Sequence, residues 1–254
     1  YFNKALLLLL QGEYIAGWEL HEWRWKKDKL STPVRKFDQP LWLGKEDLKG
    51  KTILIHWEQG FGDTIQFCRY IKEVKQLGCK VIFEVQKPLY NLLKDLEGVD
   101  ELVAYGSNLP ITDYYCPLMS LPLALGTTLE TIPYTVSYIR SSKKKKQEWK
   151  DKLGLKTKPR LGIVWSGKKT HLGDYKRSIT LKNFLKVIPD NYEVFSLQKE
   201  VRAEDKTTLN EASYIRHFGD DLSDFTDTAA LCELMDVVVS VDTAVAHLAS
   251  SMGK

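Results

Sequence analysis

KTILIHWEQGFGDTIQFCRYI, residues 51–71, is the stretch on which the fold turns. A run of β-branched and aliphatic residues, KTILIHW, stops at a turn containing Gly60 and Gly62, and an amphipathic segment leaves it. A short apolar run bounded by glycine and followed by helical spacing reads as a buried strand feeding a helix. Working outward, KVIFEV, ELVAY and DYYCPL repeat the strand pattern, with helices expected over 64–77 and 87–96 between the first three strands. Strands alternating with helices predict a parallel sheet covered by helices.

A second set comes later in the chain. RLGIVWSG, YEVFSLQ and DVVVSV read as strands, with helical segments near 181–187, 202–212, 224–235 and 242–252. The fold class is therefore α/β, with two Rossmann-like halves. Ligands of such sheets sit at the carboxyl ends of the strands. The expected organisation is a helical hairpin over 1–30, a connector over 31–50, a first Rossmann-like domain over 51–142, a linker helix over 143–158 and a second domain over 159–254. The hairpin rests on helical spacing of Ala5, Leu8 and Leu9, then of Trp18, His21, Glu22 and Trp25, around Gly12. It reads equally as one tetratricopeptide-like repeat or as a helical cap on the first Rossmann-like domain.

Composition bounds the function. Hydrophobic residues make up 43% and charged residues 28%, as in ordinary globular chains, and a net charge of +4 is too small to argue for nucleic acid. Cys68, Cys79, Cys116 and Cys232 lie in apolar runs without metal-type spacing, which reads as reduced core thiols of a cytoplasmic protein. ALLLLL, residues 5–10, is too short to span a bilayer, so no integral membrane segment is expected. The chain starts without methionine and stops at SMGK, where a further strand is due; the expectation is a piece of a longer protein.

Three strand-to-helix turns carry chemistry. In the first, the dinucleotide pattern G-x-G-x-x-G lacks its third glycine, where Ile65 stands, although Glu84 lies where a ribose-binding acid belongs. Asp63 at the first turn of the helix is favoured by the dipole but competes with a pyrophosphate for the same amides. The second turn, WSGKKTHLGDYKRSITL (165–181), carries Lys168, Lys169, Lys176 and Arg177, suited to an anion or to plain solvation. The third, VVVSVDTAVAHLASSMGK (237–254), opens a helix at Asp242-Thr243 with His247 beyond. Helix-start amides and the Thr243 hydroxyl make a phosphate cradle, while Asp and Thr are also ordinary caps; both readings stay open.

Together EQGFGDTIQFCRY, GIVWSGKKTH with RSITL, FSLQKE and DFTDTAALCELMDVVVSVDTAVAHLASSMGK resemble the heptosyltransferase-like enzymes of glycosyltransferase family 9. With EYIAGWELHEWRW, the chain resembles the bacterial proteins that join tetratricopeptide repeats to such a domain. The resemblance implies a GT-B fold, two facing Rossmann-like domains, with the acceptor handled by the first and a nucleotide-diphosphate sugar by the second. It implies an inverting transferase without metal or other cofactor. Asp63 matches the general base and Gly60 and Gly62 the acceptor cleft. Asp242, Thr243, Ala244 and His247 match the donor segment, with Arg177 on the diphosphate, Ser166 lining the pocket and Gln198 near the nucleoside. The acceptor is then a glycan or a polypeptide, and the helical repeats offer a surface to a protein partner. The Asp220-Asp221 pair reads as capping. The competing functions are a non-catalytic scaffold that binds a nucleotide sugar and, from the partial fingerprint with Glu84, a nicotinamide-dependent oxidoreductase.

Overall fold

The computed structural model describes residues 1–26, 34–171 and 173–254. The end of the expected hairpin (27–30), the start of the expected connector (31–33) and Leu172 of the basic loop lie outside the described residues. The chain divides into two compact units, Tyr1–Thr135 and Val136–Lys254.

The first unit opens with α1 (Phe2–Leu10) and α2 (Tyr14–His21), then a tight helical turn over Glu22–Lys26. Gly12, at φ +84°, makes the corner. At Gly17 any side chain would meet Leu9 Cδ2 at 2.7 Å, so glycine allows the two helices to touch. The pair packs on the rest of the first unit, with Trp18 edge-on to Phe67 at 6.3 Å.

β1 (Thr52–His56) leads through the Gly60 turn into α3 (Phe61–Phe67) and α4 (Ile71–Gln76), joined by one tighter turn at Cys68–Tyr70. The single helix expected over 64–77 thus begins earlier and is broken once. β2 (Lys80–Val85), α5 (Tyr90–Leu93), β3 (Glu101–Ala104), β4 (Tyr114–Pro117) and α6 (Leu121–Ala124) complete the unit. The sheet is all parallel in the order β3-β2-β1-β4, with Ile53 level with Val81 and Tyr114. The inner strands β1 and β2 read as apolar runs because both of their faces are buried. Part of that cover comes from the expected connector. Phe37 packs on Leu54, Ile82 and Val103, and Pro40 and Trp42 exchange backbone hydrogen bonds with Tyr115.

The second unit starts with α7 (Lys143–Leu153), capped by Ser142 Oγ. Next come β5 (Arg160–Val164), α8 (Leu181–Phe184), β6 (Glu193–Ser196), α9 (Ala203–Glu211) and β7 (Ile215–His217). The unit closes with α10 (Phe225–Glu233), β8 (Val237–Ser240) and α11 (Ala244–Ser251). This sheet too is parallel, in the order β7-β6-β5-β8. β7 escaped the sequence reading because it is three residues long and its Arg216 and His217 are exposed. The core holds Leu161, Ile163, Trp165, Phe184 and Val194. All four cysteines are buried free thiols, and burial pushes Cys68 and Cys232 up to about 12. Among the described residues no helix is long and apolar enough to cross a membrane.

Candidate functional site

In the first unit, the chain leaving β1 is held residue by residue. Trp57 N–H donates to Glu84 O, and Glu58 is buried. Gln59 takes the left-handed conformation at φ +62°, which a non-glycine residue rarely adopts without support from its surroundings. Gly60 has φ −90°, so the unusual torsion lies at Gln59 and not at the glycine. What Gly60 needs is room, since a Cβ there would sit 3.1 Å from Asp63 Oδ2. Asp63 reaches back to accept the Gly60 N–H at 2.8 Å, as an N-terminal acid does in a capping box. Gly62 lies in the same first helical turn.

Gln86, just past β2, braces this turn. Its Nε2 donates to Gly60 O at 3.3 Å, and its Oε1 accepts from Thr64 Oγ1 at 2.9 Å. Glu84, a candidate ribose ligand from the sequence, is buried and accepts from both terminal nitrogens of Arg35. Its carboxylate is thereby committed to the chain's own connector, which removes the support it lent to the oxidoreductase reading.

In the second unit Ser166, Gln198, Asp242 and Thr243, expected from the resemblance to meet a donor, lie past the carboxyl ends of β5, β6 and β8. Gln198 is buried and spends its amide on Ser166. Its Nε2 donates to Ser166 O at 2.8 Å and to Ser166 Oγ at 3.0 Å, while Oε1 accepts the Trp165 and Ser166 amides at 3.3 Å. Gln198 therefore shapes the turn around Ser166. The basic loop returns over Gly167, where a Cβ would lie 2.9 Å from Arg177 Nη2. Arg177 Nη1 donates to Asp242 O at 2.9 Å, tying the loop after β5 to the segment that opens α11. Thr243 is the extended residue before that helix, its Oγ1 3.2 Å from Ser240 Oγ. Ala244 is the first helical residue, and His247 Nε2 lies 3.7 Å from Asp242 Oδ1.

Sequence reasoning missed the clamp beneath this loop. Arg202 Nη2 donates to Gly167 O at 2.9 Å, to Ser178 Oγ at 3.1 Å and to Asp174 Oδ2 at 2.5 Å. Ser178 Oγ donates to Asp174 Oδ1 at 2.6 Å, and the Gly167 amide donates to Ser178 Oγ at 3.0 Å. The Ser178 hydroxyl and the Arg202 guanidinium hold the Asp174 carboxyl below its ordinary range. The Nε donors of Arg177 and Arg202 are shielded from solvent and have no acceptor among the described residues.

A signal for Gln86, and for the bracing role it shares with Gln198, was present in the sequence. FEVQK (83–87) and FSLQK (195–199) are the same phrase in the two halves, as are ILIHW (53–57) and LGIVW (161–165). In each unit a glutamine after the second strand braces the turn after the first.

Lys168, Lys169 and Lys176 are exposed; Lys169 lies 3.7 Å from Glu204. Asp224, rather than Asp220 or Asp221, caps α10, and Asp221 pairs with Lys152 at 2.6 Å. A cavity of about 320 Å³ lies at the N-terminal ends of β5 and β8, away from these turns, lined by Arg160, Asp236 and Lys254 among others. Its charged groups already pair, Lys156 with Asp236 and Arg160 with Glu193. Among the described residues no group of three or more His, Cys, Asp or Glu side chains is placed to hold a metal ion.

No family model matches the chain. It is 26% identical over 278 aligned positions to Protein FlbA of Caulobacter vibrioides, covering 99% of this chain and 46% of that protein. The chain thus spans about half the length of that relative. Among solved structures it is similar to a glycosyl transferase of family 9 from Veillonella parvula, with TM-score 0.59 and 12% identity over 81% of this chain and 79% of that one. It is also similar to the Escherichia coli heptosyltransferase WaaC with ADP-2-deoxy-2-fluoro heptose, with TM-score 0.50 and 12% identity over 79% and 85% of the two chains. At such identities the likeness is one of fold.

Proposed function

We propose that the chain carries an inverting glycosyltransferase domain. In this reading a nucleotide-diphosphate sugar is held by the second unit, and an acceptor hydroxyl is activated in the first. The observation that carries it is the junction of Arg177 with Asp242. It joins the basic loop after β5 to the start of α11, where helix amides and a threonine hydroxyl suit a diphosphate. The solvent-shielded Nε donors of Arg177 and Arg202, without acceptors among the described residues, favour an anionic ligand there. The fold likeness to family 9 transferases supports the same class.

In the proposed reaction Asp63 takes the proton of the acceptor hydroxyl as its oxygen attacks the anomeric carbon. The bond from that carbon to the diphosphate breaks on the opposite side, inverting the centre. The negative charge leaves with the nucleoside diphosphate, met by Arg177 and by the amides that begin α11. No metal is assigned a role, and the acceptor is a glycan or a polypeptide. The helical pair at the N-terminus, read as tetratricopeptide-like, would present that acceptor or a protein partner.

The test is Asp63→Asn. Asparagine keeps an oxygen for the Gly60 amide, so the variant should fold and bind donor normally. Loss of a general base typically lowers the rate about 10²–10⁴-fold. ADP-heptose is the first donor to try, since a similar structure holds an analogue of it. The other nucleoside diphosphates are then screened by thermal shift, with and without EDTA. Unchanged turnover in Asp63→Asn would remove Asp63 as the base, and lost nucleotide affinity would put the phosphates at the first-unit turn. A chelator-sensitive shift would overturn metal independence.

A further inference from the structure

The turn that carries Asp63 is clamped from behind by the N-terminal helices. Glu58, two residues before Gly60, is 2% exposed, and its carboxylate is fully engaged. Oε2 accepts from Arg24 Nε at 2.9 Å, and Oε1 accepts from Arg24 Nη2 at 2.9 Å and from the Met119 amide at 2.9 Å. Arg24, also 2% exposed, comes from the helical turn after α2. Its Nη2 further donates to Ser120 Oγ at 2.6 Å and its Nη1 to Glu22 Oε1 at 2.5 Å. Ser120 Oγ in turn donates to Glu22 at 2.8 Å. Three distant parts of the chain thus meet on one carboxylate: the N-terminal helical turn, the strap after β4 and the exit from β1.

A buried two-pronged ion pair is a poor way to gain stability, because desolvation offsets most of the attraction. Burial pushes the Glu58 carboxyl up from its ordinary range, against the pull of Arg24 and Met119. What the pair supplies is direction. The guanidinium fork admits one orientation of the carboxylate, which fixes the backbone immediately before the left-handed Gln59. On the other side Gln86 and Asp63 hold Gly60. A strained residue between two anchored neighbours keeps its conformation, and an unanchored one relaxes.

We propose that Arg24 is a positioning residue for Asp63: the N-terminal helical pair sets the geometry of the proposed acceptor-side turn through Glu58. Only the kinetic part of this inference rests on the transferase reading.

The experiment compares wild type with Arg24→Met/Glu58→Gln. The double variant removes both charges and leaves an oxygen for the Met119 amide. Hydrogen exchange of the peptide spanning 57–64 is measured first. The inference expects exchange in this peptide to rise about tenfold or more, while strands β2 and β3 stay as protected as in wild type. On the transferase reading, kcat should fall about a hundredfold with donor KM nearly unchanged, since a displaced catalytic group costs rate more than binding. Arg24→Lys, which keeps the charge and loses the fork, should show the same pattern more weakly, and it serves if the double variant does not fold. Unchanged exchange at 57–64 in a folded variant overturns the inference whatever the activity. Altered exchange in a protein whose wild type transfers no sugar supports the clamp and counts against the transferase reading alone.

Discussion

At the scale of single residues, several polar side chains are committed to the chain itself before any ligand arrives. Gln198 spends its amide on Ser166, Glu84 its carboxylate on Arg35, and Glu58 its carboxylate on Arg24 and Met119. His56 is a further case. It lies buried at the end of β1, packed against Phe37 and Tyr115, with Nδ1 3.0 Å from Trp57 O. Burial lowers its pKa from 6.5 to about 4. The folded protein therefore excludes a proton that the unfolded chain binds below pH 6.5. Stability should fall as pH drops from 6.5 towards 4, by about 1.4 kcal/mol per unit from this one group, and level off below. Urea midpoints at pH 7, 6 and 5 check it, and His56→Phe should flatten the slope by that amount. Thr243→Ala should weaken nucleoside diphosphate binding by about 0.5–1.5 kcal/mol, the net worth of one hydrogen bond, as read by titration calorimetry.

At the scale of elements, α7 shows how a charged helix finds its place. KKKKQEWKDKL looks solvated all round, yet Trp149 and Leu153 are buried and the helix docks on α10. Asp227 organises the contact. Its carboxylate accepts from Lys145 at 2.8 Å, from Trp149 Nε1 at 3.1 Å and from Ser223. Burial works against the charge, but these donors prevail and hold Asp227 down at about 2. Asp227→Ala would leave the indole N–H and the Ser223 hydroxyl without their acceptor. The expected cost is about 3 kcal/mol, against about 1 kcal/mol for Asp227→Asn, measured by chemical denaturation.

At the scale of the whole molecule, the chain holds two copies of one idea. Each unit has a four-stranded parallel sheet in the same order, with the strand that comes first in the chain in an inner position and a glutamine bracing the turn after it. The proposed division of labour predicts where ligand protection appears. With a nucleoside diphosphate at about 100 times its Kd, the binding-competent protein gains about 2.7 kcal/mol. Hydrogen exchange should slow at the turns after β5, β6 and β8, and the 57–64 peptide should change little. Protection confined to the first unit would reverse the assignment.

The sequence alone determined the α/β class and most of its strands, because parallel strands leave short apolar runs that need no tertiary information to read, even in β8, where Val237 and Val239 stay exposed. The same holds for the corner at Gly12 and for the helix that opens after Asp242 and Thr243, where local turn chemistry is written in adjacent residues. Tertiary structure decided everything that depends on distant partners. It turned the expected connector into cover for the first sheet through Phe37 and paired Glu84 with Arg35. It also joined Arg202 to Asp174 and brought Arg24 onto Glu58. Such pairs unite charges 28 to 49 residues apart in the chain, and no local periodicity records them. Tertiary structure also placed the left-handed torsion at Gln59 beside a glycine that had no need of it, because clamped neighbours on both sides, and not the residue's own preference, hold that backbone in place.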